Sequence, residues 1–293
     1  MAKIILLGGP TASGKSALSL KWAVQYGGEI INADSMQVYR ELNILTACPS
    51  MEEMKEIPHH LYRTLKGDDP CSADRWREMA RTVIEEVWAR GNIPIVVGGT
   101  GLYLKALVYG LSKVPSIDQN IRAEIRASMI EEGSKIIHAR LFKLDQEMAN
   151  RLDPNDSQRV ARALEVILST HKSLSYWQAQ PEEGGLIDDD VQMSLRIVER
   201  DRAALYQRCN HRFKMMIEQG DAIKEVKALM ELNYSKSLPV MKSLGVPQII
   251  NYLEGDTTLD QAIILSQTAT RQFAKRQMTW FRNQFSQWQQ EIL

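Results

Sequence analysis

Short apolar runs alternate with helical periodicity over the first third of the chain. Residues 3–8, KIILLG, read as a buried strand, and a glycine-rich turn leads from it into a helix from about Lys15 to Tyr26. A second strand is expected at 29–33, ending at Asp34. Trp76, Met79, Ala80, Val83, Ile84, Val87 and Trp88 recur at helical spacing, which predicts a helix over 72–90 with Ser72 as N-cap and Gly91 just past its end. IPIVV at 93–97 is another apolar strand, and 101–109 reads as a helix. Strands that are apolar throughout, separated by helices, predict a parallel sheet covered on both faces.

Beyond Pro115 the pattern changes. Residues 117–180 carry helical stretches and no strand, 181–190 (PEEGGLIDDD) reads as an exposed connection, 191–199 as a strand, and the remainder as mostly helical. An α/β core interrupted by a helical insertion is therefore expected, with the core at 1–115 and 188–293 and the insertion at 116–187.

The turn after the first strand carries candidate chemistry. Gly9, Pro10, Thr11, Ala12, Ser13, Gly14, Lys15 and Ser16 match GxxxxGK[ST], and a strand before and a helix after give the pattern its meaning. Glycines let backbone N–H groups turn inward around phosphate oxygens, and the helix N-terminus favours an anion. Lys15 suits a phosphate oxygen, and Ser16 suits Mg²⁺. The fold class is thus a phosphate-loop NTPase-like parallel sheet with a helical C-terminal region. The loop predicts a di- or triphosphate without naming what is attached to it. The base-reading NKxD pattern of GTPases is absent, and IPIVV runs into Gly98-Gly99-Thr100 instead of a carboxylate. Asp34, at the end of its strand, is placed to face a ligand crevice. There it can ligate Mg²⁺ or accept a proton from an incoming nucleophile.

Composition narrows the class. The 293 residues are 44% hydrophobic and 25% charged, as in a soluble globular protein, and no apolar run reaches membrane-spanning length. The phosphate loop follows the first apolar run directly, with no small-residue cleavage site, which argues against a secretory signal. Three cysteines without a CxxC pair argue against a disulfide framework or a cysteine-built zinc site and fit a reducing cytoplasm. Thirty-six basic residues balance 36 acidic ones, against a purely electrostatic nucleic-acid binder. The balance is uneven, however: 196–214 holds six basic residues against two acidic, and 271–282 holds four against none.

GPTASGKS at 9–16, DSMQVYR at 34–40, PHHL at 58–61, GGTGLYLKAL at 98–107, DPNDSQRVARALEV at 153–166 and ATRQFAKRQMTWFR at 269–282 together resemble the tRNA dimethylallyltransferase family. The resemblance spans nearly the whole chain in order. It implies transfer of a dimethylallyl group from dimethylallyl diphosphate to N6 of adenosine 37 in the tRNA anticodon stem-loop, with Mg²⁺, by a cytoplasmic monomer. Two positions depart from the family pattern: Leu45 stands for a usual glycine and Cys48 for a usual lysine.

The resemblance also implies roles. Residues 9–16 hold the donor, with Ser16 as metal ligand. Lys15, Thr100 and Arg208 stabilise the leaving diphosphate, and Asp34 holds N6 and takes its proton. The tRNA is contacted by Asp34, Ser35, Met36, Gln37 and Thr100, by Arg122, and by Gln158, Arg159, Val160, Ala161 and Arg162. An adenosine presenting N6 to a buried carbon must leave the stack, and Gln37 is suited to read it through a bidentate amide contact. Gln158, Arg159 and Arg162 share one helical face, and the 196–214 stretch is expected to extend that basic groove. His59 and His60 are expected to be structural, and the aromatics at 273, 280 and 281 to belong to the core. Three other readings stay open: a small-molecule kinase using ATP, a non-catalytic RNA-binding protein, and transfer to free AMP.

Overall fold

A computed structural model describes residues 2–293. The chain forms two compact units, one running to Val108 and resuming at Leu186–Leu293, the other Tyr109–Gly185.

In the first unit, β1 (Ala2–Gly8) leads into α1 (Lys15–Tyr26), followed by β2 (Gly28–Asn32), α2 (Met51–Glu56), β3 (His59–His60), α3 (Ala73–Ala89), β4 (Ile93–Gly98) and α4 (Gly101–Tyr109). The helical unit then contains β5 (Leu111–Ser112), α5 (Gln119–Glu131), α6 (Ser134–Leu144), α7 (Gln146–Arg151), α8 (Ser157–Thr170), α9 (Leu174–Gln178) and β6 (Glu182–Glu183). The first unit resumes with β7 (Val191–Glu199), α10 (Arg202–Glu218), α11 (Ala222–Glu231), α12 (Val246–Leu253), α13 (Leu259–Gln284) and β8 (Gln289–Ile292).

Six strands make one sheet in the order β3-β2-β4-β1-β7-β8, with every pair parallel. Gly8 is level with Gly98 and Ile197, and Asn32 with Val97. The C-terminal ends of β1, β2, β4 and β7 therefore open at one edge, where doubly wound sheets place their ligands. One face packs Leu7, Ile30, Ile95, Val97 and Val198 with Ala23 of α1. On α3, Trp76, Ala80, Ile84 and Val87 are buried, as the periodicity predicts; Ser72 Oγ accepts from Arg75 N at 3.1 Å, and Gly91 adopts a left-handed φ of 79°.

Two strands of this six-stranded sheet lie outside the sequence expectation. β3 is two histidines at one edge, and β8 is the polar run QQEI at the other. Edge strands that bury little carry no apolar signal. Within 181–190, Leu186 is buried and 182–183 pair with 111–112, so this connection is partly ordered by packing.

The helical unit has its own core, built from Ile117, Ile125, Ile137, Leu141, Met148, Val160, Leu164 and Val166 among others.

Candidate active site

The phosphate loop joins β1 to α1 through backbone that side chains tolerate poorly. Gly9 and Gly14 have φ of 151° and 105°, and Ala12 sits at 62°. Lys15 Nζ folds back to donate to Pro10 O at 2.8 Å. Ser13 Oγ is buried without a partner among the described residues, and Ser16 is exposed in the first turn of α1.

Three arginines from the region after β7 converge on this loop. Arg200 Nε donates to Ser13 O (3.1 Å), Arg208 Nε to Ala12 O (2.8 Å), and Arg212 to Thr11 Oγ1. Burial pushes the Lys15 ammonium down to about 8; Asp34 opposes that and Arg212 reinforces it. Burial also lowers Arg212, despite the pull of Cys209 and Asp34. Two poorly solvated cations beside a phosphate loop are an arrangement that an anion completes.

The loop after β2 is shaped by Asn32, which is fully buried. Its Oδ1 accepts from Asp34 N (2.8 Å), and its Nδ2 donates to Asp34 O (3.0 Å) and Leu61 O (3.1 Å). Trp76 Nε1 donates to Asn32 O at 2.9 Å, and Trp76 stacks on Tyr103 at 4.5 Å. The turn thus presents Asp34 half-buried, with Oδ1 accepting from Met36 N at 2.9 Å. No described residue donates to Oδ2. Thr100 Oγ1 accepts from Ser35 N (2.9 Å), and Thr100 N donates to Ala33 O (3.1 Å).

The GGTG turn is dictated by close approach. A Cβ at Gly98 would lie 2.0 Å from Ala33 O, and one at Gly101 would lie 2.0 Å from the Trp280 ring. Half-buried Trp280 meets buried Phe281 and Phe285 edge to face, so this part of the aromatic set packs into the core as expected; Phe273 is only half-buried, with Arg276 over its ring, and Lys275, Arg276 and Arg282 are exposed.

The structure brings residues 9–16, Asp34, Ser35, Thr100 and Arg208 to the sheet edge, and it corrects four expectations. Gln37 Nε2 is committed to Thr46 O (2.9 Å) and Ala47 O (3.0 Å), so a bidentate amide contact is not available from this arrangement. The Thr100 hydroxyl hydrogen is directed at Ser35 Oγ (3.2 Å) and not at a phosphate position. Val160 is fully buried in the helical core and cannot touch RNA there; Ala161 packs against the same core. The basic 196–214 stretch serves the phosphate loop and its own neighbours: besides the three loop arginines, Arg196 pairs with Glu291 and Lys214 with Glu218.

In the helical unit, Gln158 and Arg159 are exposed on α8. Arg122, Arg126 and Arg162 converge on the buried carboxylate of Glu165 at 3.8, 3.9 and 3.8 Å. Three cations on one carboxylate leave that surface positive. Sequence reasoning missed Asn32, Glu165 and Gln277, because a buried polar side chain gives no periodic signal, and it placed Arg212 only within the basic stretch at 196–214.

The departing positions are accommodated internally. Leu45 is buried and its N–H, with those of Asn43 and Ile44, is accepted by the Glu225 carboxylate (3.0, 2.5 and 2.8 Å). Cys48 Sγ lies 3.4 Å from Thr46 Oγ1. His59 Nδ1 bonds Ile57 O at 2.7 Å and His60 pairs with Glu29, both structural as expected.

Comparison with known proteins bears on the same residues. The IPP transferase family model matches residues 37–284, and the isopentenyl transferase model residues 2–68. A tRNA dimethylallyltransferase of Paramagnetospirillum magneticum is 45% identical over 280 residues, covering 96% of this chain and 88% of that protein. The full-length tRNA isopentenylpyrophosphate transferase of Bacillus halodurans superposes with a TM-score of 0.70 at 33% identity, covering 100% and 90% of the two chains. A eukaryotic dimethylallyltransferase acting on tRNA gives 0.75 at 30% identity, over 96% of this chain and 70% of that one. With a family model spanning most of its length and relatives matched nearly end to end, the chain belongs to the IPP transferase family.

Proposed function

We propose that this protein transfers a dimethylallyl group from dimethylallyl diphosphate to N6 of adenosine 37 in tRNA, releasing diphosphate. The observation that carries the reading is a desolvated Lys15 of the phosphate loop and a desolvated Arg212, which reaches Thr11 from α10, beside Asp34, to whose Oδ2 no described residue donates. A site for an anionic leaving group thus faces a site for a proton.

The bond from the allylic carbon to the diphosphate oxygen breaks, and its electron pair leaves with the diphosphate. N6 bonds to that carbon and its proton goes to Asp34 Oδ2. Lys15, the backbone N–H groups of the loop and Arg208, whose terminal nitrogens are free of described partners, stabilise the charge developing on the diphosphate. Ser35 and Thr100 hold the acceptor side in place, and Gln37 acts through its remaining Oε1 or by supporting the 46–47 backbone.

Mg²⁺ fits this arrangement. Ser16 Oγ is exposed and carries no bond from the described residues, and an ion that keeps several waters and takes phosphate oxygens needs few protein ligands. Ser16 would hold it, and it would supply charge neutralisation for the diphosphate.

The tRNA is gripped on the helical unit by Gln158, Arg159, Arg162 and Arg122, with Ala161 at the edge of that face. Three free cysteines suit a cytoplasmic enzyme. The test is mass spectrometry of nucleosides from tRNA incubated with the protein and dimethylallyl diphosphate. N6-(dimethylallyl)adenosine at position 37 is expected. Unmodified tRNA, or γ-phosphate transfer from ATP at a comparable rate, would overturn the reading.

A further inference from the structure

The phosphate loop and the loop after β4 are joined by one side chain that neither motif contains. Gln277 lies on α13, 266 residues from Thr11 in sequence, and is only 6% exposed. Its Oε1 accepts from Thr11 N at 2.8 Å, and its Nε2 donates to Gly99 O at 2.8 Å. Gly99 leaves room for it: a Cβ there would lie 2.4 Å from Nε2. Thr11 precedes the left-handed Ala12, and Gly99 precedes Thr100, which holds Ser35 N. The amide therefore links the loop for the donor to the strand end that fixes the residue after Asp34.

We propose that Gln277 is a positioning residue that sets the spacing between the diphosphate site and the acceptor site. The inference rests on the transfer reaction proposed above. Only glutamine combines the acceptor, the donor and the reach. Glutamate has no donor for Gly99 O, methionine has neither group, and asparagine is one methylene short. α13 is itself fixed to α10, since Arg271 Nη1 donates to Asn210 Oδ1 (2.6 Å) and Gln267 Nε2 to Asn210 O (3.0 Å). Thr11 also receives Arg212 from α10, so the tether belongs to one braced assembly around the leaving group.

The experiment compares the full-length wild type with Q277E and Q277M in steady-state transfer from dimethylallyl diphosphate to tRNA across pH. A misplaced loop leaves binding groups present but out of line, so kcat should fall roughly 10–100-fold, with both KM values within about threefold. Q277E adds a signature that a general packing role lacks. Its carboxyl regains a donor for Gly99 O when protonated, so its kcat relative to wild type should rise as pH falls. Arg212 is the cation bonded to this end of the loop and shifts that rise to lower pH. Q277M should show no such rise. If Q277M does not fold, the Q277E ratio decides alone. A kcat within twofold of wild type, a raised donor KM with unchanged kcat, or a Q277E ratio flat with pH would overturn the inference while the functional reading stands. A wild type that transfers nothing would overturn both.

Discussion

Thr100 and Ser35 are joined twice: Thr100 Oγ1 accepts from Ser35 N at 2.9 Å and donates to Ser35 Oγ at 3.2 Å. The bonds pin the residue after Asp34 to the end of β4. Thr100→Val keeps the shape but leaves Ser35 N without its acceptor. It should cost about 1–2 kcal/mol of stability and roughly tenfold or more in kcat, because the residue after Asp34 loses its anchor to β4. Thr100→Ser should keep most activity. Thermal melts and kcat for the three proteins check this; a valine variant as fast as wild type would remove Thr100 from the mechanism.

Lys15 makes a pH prediction. Burial places it at about 8 instead of 10.5, so it is protonated at neutral pH without its anion. Donor affinity should therefore decline as pH rises above about 8. The stability sign is opposite to that of a paired lysine. A lowered folded-state value means that the unfolded chain binds more protons between about 8 and 10.5, so folding is penalised below that window and relieved through it. Lys15→Met should accordingly raise the melting temperature of the ligand-free protein by the equivalent of about 1–3 kcal/mol while abolishing donor binding. Calorimetric titration with dimethylallyl diphosphate, alongside melts, tests both halves.

Glu29 governs acid stability from the opposite end of β2. Arg90, then Asn92 and His60, hydrogen-bond its carboxylate and hold it at about 2 against the burial that would raise it. Its contribution is present above the ordinary glutamate value of 4.5 and is lost as pH falls toward 2. Arg90 is 45% exposed, so water screens part of it and about 1–3 kcal/mol remains. Glu29→Gln should lose that amount at neutral pH and flatten the acid limb of the denaturation curve, with neutral-pH kcat per folded molecule unchanged.

The regular part of this protein was legible because its strands bury both faces. KIILLG and IPIVV have no polar position to confuse with a surface, and the α3 stripe from Trp76 to Val87 is unambiguous. The phosphate loop was legible because its function needs backbone geometry that only a fixed residue pattern allows. What pattern could not reveal are side chains acting through tertiary bonds. Asn32 shapes the Asp34 turn, Gln277 ties two loops, and Glu165 gathers three arginines, each by contacts with no local spacing rule. Resemblance named Val160 with its neighbours, but helical phase puts it on the core side of α8, two residues before the half-exposed Arg162.

On the helical unit, Arg159 and Arg162 should behave differently. Arg159 is exposed and, among the described residues, pairs with Asp156 alone, whereas Arg162 is partly desolvated over Glu165. Arg159→Glu should raise KM for tRNA and reduce the salt dependence of binding by about one counterion, with stability and donor KM unchanged. Arg162→Gln should do the same and also lower stability by about 1 kcal/mol or more, since Glu165 loses a partner. Binding isotherms over a salt series with matched melts separate the two. A parallel rise in donor KM would show instead that the phosphate loop had been disturbed.

Asp34 is the sharpest test of the proposed chemistry. Its Oδ1 is held by Met36 N, and its main chain is clasped by Asn32, so the carboxylate orientation does not depend on a ligand. Asp34→Asn keeps the size, and its side-chain oxygen can still accept from Met36 N, but the group turned toward the acceptor becomes an amide that cannot take a proton. If Asp34 is the base, kcat should fall by roughly 10²–10⁴ while donor and tRNA bind nearly as before. If it serves chiefly as a Mg²⁺ ligand, donor affinity and metal dependence fall with kcat. Charge adds a further discriminator: Asp34 opposes the burial effect on Lys15, so its loss drives the lysine value lower still. Donor affinity in the asparagine variant should then start to decline at a lower pH than in wild type. A variant with wild-type turnover would exclude Asp34 as the base, and one with weak, metal-insensitive donor binding at neutral pH would assign it to Lys15 instead of to N6.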